Sequence, residues 1–159
     1  MEREVMESVR LLWEGVYNLS ELERYDDLDY TMGVYMILDS RHNPVTGKWG
    51  SHRLLYIGKV YDQSFRTRLA QHVAGDDVWG WVRRNLENDA TAKIGHVELV
   101  NGGRISRELV NDIEALLIKT QRPPGNLQSV TDYYGRDLRI HNEGMFRPLP
   151  SIISTDDVE

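Results

Sequence analysis

The stretch RLLYIGKVYDQSFRTRLAQH, residues 53–72, decides how this chain is read. Residues 53–60 are apolar and aromatic in the manner of a buried strand. Ser64 then opens a helical pattern over 64–74, with Phe65, Leu69 and Val73 on one stripe. A core accounts for those apolar positions. It does not account for Tyr56, Lys59, Arg68 and His72 gathered on one side, with Arg68 and His72 one helical turn apart. An ordinary amphipathic boundary would also produce an isolated Arg–His pair, so the neighbouring segments have to decide.

Upstream, MGVYMIL (32–38) reads as a second buried strand. The turn-rich DSRHNPVTGKWGSH (39–52) separates it from the first, and two strands joined by a loop predict an antiparallel pair. Downstream, a helix is predicted over 77–88, with Asp76 or Asp77 as its cap. AKIGHVELV (92–100) alternates as a third strand and ends at NGG. ISRELVNDIEALLIKTQ (105–121) is the strongest helical pattern, capped by Ser106 and stopped by Arg122-Pro123-Pro124-Gly125. Toward the N-terminus, Val5, Val9, Leu12 and Val16 stand at helical spacing and predict a helix over 3–17, with Ser20 capping a short turn through Glu23. The last 30 residues are mixed and end in STDDVE, which reads as a frayed acidic tail. The expected architecture is one α+β domain, a small, mainly antiparallel three-stranded sheet flanked by helices. A helical extension (1–29) precedes the core (30–128), and a further extension (129–159) follows it.

A chain of 159 residues is long enough to bury roughly two-thirds of its unfolded surface, so one domain needs no staples. There is no cysteine, which excludes disulfides and thiolate zinc sites and suits a reducing compartment. MEREVMESVRLLW lacks the basic and apolar regions of a signal peptide, and no stretch approaches the ~20 apolar residues of a membrane span. The expectation is a cytoplasmic protein with no membrane contact. The formal charge of −6 argues against coating nucleic acid by bulk electrostatics. Its distribution is uneven: residues 1–40 hold 3 Lys/Arg against 10 Asp/Glu, residues 41–84 hold 8 against 3, and residues 85–159 hold 8 against 12. The basic segment coincides with the stretch quoted first, and such a patch grips phosphates in a salt-sensitive way. A solvated face would carry the same charges.

The helix over 105–121 supplies an independent clue. Val110, Ile113, Leu117 and Ile118 define its apolar arc, and Glu114 falls inside it. A carboxylate facing a core costs several kcal/mol unless it is paired, protonated or bound to metal. Glu114 is therefore expected to look into a cleft containing cations, unless it snorkels to water from an edge position. His42, His52, His96 and His141 have no partners at metal-ligand spacing, and Trp79 and Trp81 read as packing residues. No phosphate loop, nucleophile elbow, dinucleotide fingerprint or calcium loop is present.

Taken together, GVY (33–35), YIG (56–58), TRLAQH (67–72) and IEALLIKTQRPPGN (113–126) resemble, in order, the signature of the GIY-YIG nuclease superfamily. The resemblance covers about residues 30–128. It places the family's tyrosines at Tyr35 and Tyr56, its arginine at Arg68, the frequent histidine at His72, the metal-binding glutamate at Glu114 and the asparagine at Asn126. Val34 replaces the middle isoleucine, and the loop over 39–52 is longer than the family's usual one. Arg68 is chosen over Arg66 because it sits four residues before His72.

The resemblance implies a metal-dependent DNA endonuclease, restriction-like, using one Mg²⁺ or Mn²⁺ held by Glu114. Arg68 would neutralise charge on the scissile phosphate, Tyr35 would be the candidate base, and Tyr56 would position water or phosphate. Asn126 would brace the site. Which of Tyr35, Tyr56 and His72 takes the proton stays open. Gly58, Lys59 and Arg66 beside the strand end, and Arg41 and Lys48 in the loop, are the expected DNA contacts. A homodimer is one arrangement the resemblance allows, since the chain has no separate DNA-binding module. The alternative is a nucleic-acid-binding module of the same fold that is inactive or depends on a partner.

Overall fold

The computed structural model describes residues 6–129 and 132–158. Its frame is a six-stranded mixed sheet in the order β3-β2-β4-β1-β5-β6, curled toward a half-barrel, with three α-helices among the described residues. The strands are β1 (Glu7–Asn18), β2 (Met32–His42), β3 (Trp49–Tyr61), β4 (Asp89–Leu99), β5 (Leu138–Gly144) and β6 (Ile152–Ser154). The helices are α1 (Phe65–Gly75), α2 (Asp77–Asn85) and α3 (Arg107–Gln121). Every pairing is antiparallel except that of β1 with β5.

This overturns the expectation of a small three-stranded antiparallel sheet flanked by helices. The three expected strands, β2, β3 and β4, are neighbours, but they form only half of the sheet. The predicted helix over 3–17 is strand β1, where Val9, Leu11 and Trp13 are buried on alternate positions. Two apolar periods overlap in that segment. Long-range pairing with β4 on one side and β5 on the other selects the period of two. Val5, counted in the helical period, lies outside the described residues. The expected C-terminal tail instead supplies β5 and β6, and Ser154 and Asp157 close a capping box around the turn at Thr155–Asp157. Asn18, rather than Ser20, caps the short 3-10 turn at Leu19–Arg24.

Strands β2 and β3 run longer than predicted, so the loop between them shrinks from 39–52 to the six residues 43–48. Strand β2 pairs with β4 only as far as Ser40. Beyond it, Arg41 and His42 pair with Gly50 and Trp49 alone, as a two-stranded ribbon projecting past the sheet. At the ribbon's base the buried Asp39 accepts hydrogen bonds from the backbone N–H groups of Glu87 and Asn88 and from Arg53.

Alternate residues of β2 face two separate cores. Val34, Met36 and Leu38 pack with α3 and with β1, β5 and β6. Tyr35 and Ile37 pack with Phe65 and Leu69 of α1, Val82 of α2, and Leu28. No helix among the described residues is long and apolar enough to cross a membrane.

Candidate active site at the sheet edge

The site forms where β3, the outermost strand, separates the two cores. A bulge on β3 prepares it: Ile37 pairs with Tyr56 and Leu38 with Leu54, leaving Leu55 as an extra residue. Leu55 and Tyr56 therefore both turn toward the Tyr35 face. The rings of Tyr35 and Tyr56 lie 6.2 Å apart.

Glycine is required at two places here by close approach. A Cβ on Gly58 would come within 2.3 Å of the Tyr35 hydroxyl, so the phenol lies across the strand where a side chain would stand. A Cβ on Gly33 would meet the Gly95 carbonyl at 2.2 Å and the Phe65 ring at 2.9 Å, so glycine lets β4 and the first residue of α1 close on β2.

Ser64 caps α1 as expected, through its hydroxyl and the Thr67 N–H. The helix carries His72 into the Tyr35 face, fully buried, where Nε2 lies 2.7 Å from the Tyr35 hydroxyl. The Tyr56 ring is 5.5 Å from the imidazole. Burial and the Arg68 charge push the His72 pKa down, against the pull of Asp76, which keeps the ring neutral near pH 7. Asp76 Oδ2 stands 2.7 Å from Nδ1 but is not aligned as a hydrogen bond. The second carboxylate oxygen of Asp76 caps α2 by accepting the Trp79 N–H at 2.8 Å.

Arg68 lies beside both phenols and 4.0 Å from Asp76. Burial drives the Tyr35 and Tyr56 pKa values upward, with Arg68 opposing, so both phenols stay protonated at neutral pH. Arg66 behaves otherwise. It is ion-paired with Asp29 and donates to the carbonyls of Leu22 and Tyr25, pinning α1 to the preceding loop. Three of its five N–H donors are thus engaged with the loop before α1 and not with the site.

Glu114 reaches the same edge from the opposite core, on α3. Its side chain is 20% exposed and 3.4 Å from Lys59 Nζ. Burial raises its pKa, while Lys59 and Arg68 pull it back. The carboxylate within the apolar arc thus does face cations, as its position predicted. Asn126 hydrogen-bonds both the N–H and the carbonyl of Ile57 at 2.8 and 2.9 Å. It takes the place of the strand that β3 lacks at its outer edge, which fixes the backbone between Tyr56 and Gly58.

Tyr35, Tyr56, Gly58, Lys59, Arg68, His72, Glu114 and Asn126 are therefore brought to one edge. Arg41 and Lys48 are not: both are exposed on the projecting ribbon. Asp76 is the residue the sequence reading took only as a cap. The signal for more was its spacing, four residues beyond His72, although α1 ends at Gly75 and Asp76 itself is extended.

Among the described residues no group of three His, Asp or Glu could hold a metal. A lone carboxylate with water and substrate oxygens completing the shell is a normal arrangement for Mg²⁺, so Glu114 is the residue that could hold one hard divalent ion, in competition with Lys59. The Lys59 side chain is 39% exposed. No family model, curated protein or solved structure matches the chain.

Proposed function

We propose that the protein is a metal-dependent endonuclease that hydrolyses DNA phosphodiester bonds, restriction-like in its activity. One observation carries this reading. A tyrosine pair, a buried neutral histidine, an arginine and a half-buried carboxylate converge at the edge strand β3, although they are spread from residue 35 to residue 114. Phosphodiester hydrolysis needs a path for the proton of the attacking water, positive charge for the phosphate and a place for a divalent ion. Each has a candidate here. Arg68, firmly charged, would contact the scissile phosphate. Tyr35 and His72 would carry the proton, and Tyr56 would orient the water. A divalent ion at Glu114 would supply charge stabilisation to a phosphate oxygen.

Lys59 favours a second reading. Its contact with Glu114 leaves a cleft with two cations and one partly neutralised carboxylate, which would bind a phosphate without cutting it. This is the binding-module alternative.

The test runs wild type beside Glu114→Gln on plasmid and branched DNA, with and without Mg²⁺ or Mn²⁺. Wild type with the ion is expected to give discrete fragments. The variant is expected to lose on the order of 10³-fold in rate while melting no lower, because a raised pKa marks the charged form as costly to the fold. The ion needs the deprotonated carboxylate, so its affinity should fall as pH drops through that raised value, earlier than for an ordinary glutamate. Equal cleavage by Glu114→Gln would remove the metal site from the reading. DNA retained in a gel shift but never cut, by either protein, would establish the binding module instead.

A further inference from the structure

Resting on the nuclease reading, we propose that Asp76 is the positioning residue of a Tyr35–His72–Asp76 relay in which His72 Nε2 finally accepts the proton of the attacking water. The relay settles which of the candidate groups is the base. Tyr35 is fully buried and its phenol holds its proton, so no standing phenolate is available to deprotonate water. Its hydroxyl has a hydrogen-bond partner in His72 Nε2, 2.7 Å away. For the phenol to donate, Nε2 must be the bare nitrogen, which places the ring proton on Nδ1. That nitrogen faces Asp76 Oδ2 at 2.7 Å.

Asp76 is held from two sides. Its other oxygen is fixed by the Trp79 N–H at the start of α2, and the Arg68 guanidinium stands 4.0 Å from Oδ2. The carboxylate is close but not aligned with the ring N–H. Such contacts commonly tighten only when substrate binds. The charged and titratable groups around the imidazole are Arg68 on its own helix, Asp76 at the α1–α2 junction, Tyr35 from β2 and Tyr56 from β3. Glu114 from α3 acts on the two phenols. Asp76 is the group that favours the imidazolium.

The step balances as follows. Water gives a proton to the Tyr35 hydroxyl oxygen as Tyr35 passes its own to His72 Nε2. The hydroxide so formed makes the new P–O bond while the bond to the leaving oxygen breaks. The leaving oxygen takes a proton from solvent, and the imidazolium, stabilised by Asp76, returns its proton to solvent. The net change is phosphodiester plus water to phosphomonoester plus alcohol.

Asp76→Asn separates this role from capping, because asparagine caps a helix about as well as aspartate. Two readouts apply: nitrogen-15 spectra of the His72 ring in the free protein, and the pH–rate profile for plasmid cleavage with Mg²⁺. Wild type near pH 7 is expected to show the Nδ1–H form with Nε2 bare. In Asp76→Asn the His72 midpoint should move to lower pH, and kcat should fall on the order of 10- to 100-fold with KM and Tm near wild type. A proton on Nε2 in wild type overturns the relay. So does an unchanged kcat in Asp76→Asn, or a loss of kcat that only follows a loss of Tm. The spectra are read without DNA, so a wrong tautomer sinks the relay even if DNA is cut. An inactive wild type with the expected tautomer sinks the nuclease reading instead.

Discussion

The Tyr35 hydroxyl occupies the space above Gly58 that any other residue's Cβ would fill, at a distance of 2.3 Å. This makes the glycine of YIG and the tyrosine of GVY one device. β3 is narrow at Gly58, and the buried phenol reaches the strand edge where Glu114 arrives from the far core. Gly58→Ala should therefore displace the phenol from His72, costing about 1–3 kcal/mol of stability and most of the cleavage rate. The check is a double-mutant cycle in urea with Tyr35→Leu, which clears the same space. Gly58→Ala should cost markedly less in the Tyr35→Leu background. Equal costs in both backgrounds would show that the alanine acts on the strand and not on the phenol.

The ribbon at 41–50 carries Arg41 and Lys48 and no acidic residue. Six residues separate Tyr35 from Arg41 along β2, roughly 20 Å at the rise of a strand. A duplex seated on the site would pass that distance about six base pairs away. A two-stranded ribbon fits a major groove. Arg41→Ser with Lys48→Ser should weaken DNA binding about tenfold at low salt. It should also flatten the slope of log affinity against log salt by about 2, the release of two counterions. Affinity measured across a salt series checks this. An unchanged slope would take the ribbon out of the DNA contact.

The parts legible in sequence are those that local chemistry dictates. Ser64 and Ser106 cap α1 and α3 because a hydroxyl before a helical stripe has a ready N–H to accept from. Arg122 stops α3 in a left-handed conformation just before Pro123. What was not legible depends on distant partners. β1 and β5 pair across about 130 residues of chain, which no local window carries. β5 hides further because its third inward position is Asn142, a polar residue that breaks the apolar alternation. In the fold Asn142 is satisfied by the Trp13 indole and the Pro150 carbonyl, neither visible from its neighbours. The site divides the same way. The identities and spacing of Tyr35, Tyr56, Arg68, His72 and Glu114 were readable, but the approach of Asp76 to His72 and the engagement of Arg66 by carbonyls needed the packed loops.

Asp39 ties the ribbon to the body of the protein, and its chemistry gives a pH dependence with a definite sign. Burial alone would raise its pKa, but the N–H groups of Glu87 and Asn88 and the Arg53 guanidinium hold it below the ordinary carboxylate range. A depressed folded-state pKa means that the native state binds fewer protons than the unfolded chain. The stabilisation is therefore complete above the unfolded value near ~4 and disappears as pH falls through the lower folded value. Asp39→Asn offers one acceptor oxygen where three donors converge, and its amide sets donors against donors. The variant should be less stable by about 2–3 kcal/mol at pH 7, a drop of roughly 5–10 °C in Tm for a chain of this size. The gap to wild type should narrow below about pH 4, as the wild-type carboxyl protonates and loses the same bonds. Thermal melts of both proteins from pH 7 to pH 3 measure it. A gap constant over that range would mean that shape at the ribbon base, not the charge on Asp39, holds the segment at 87–88 in place.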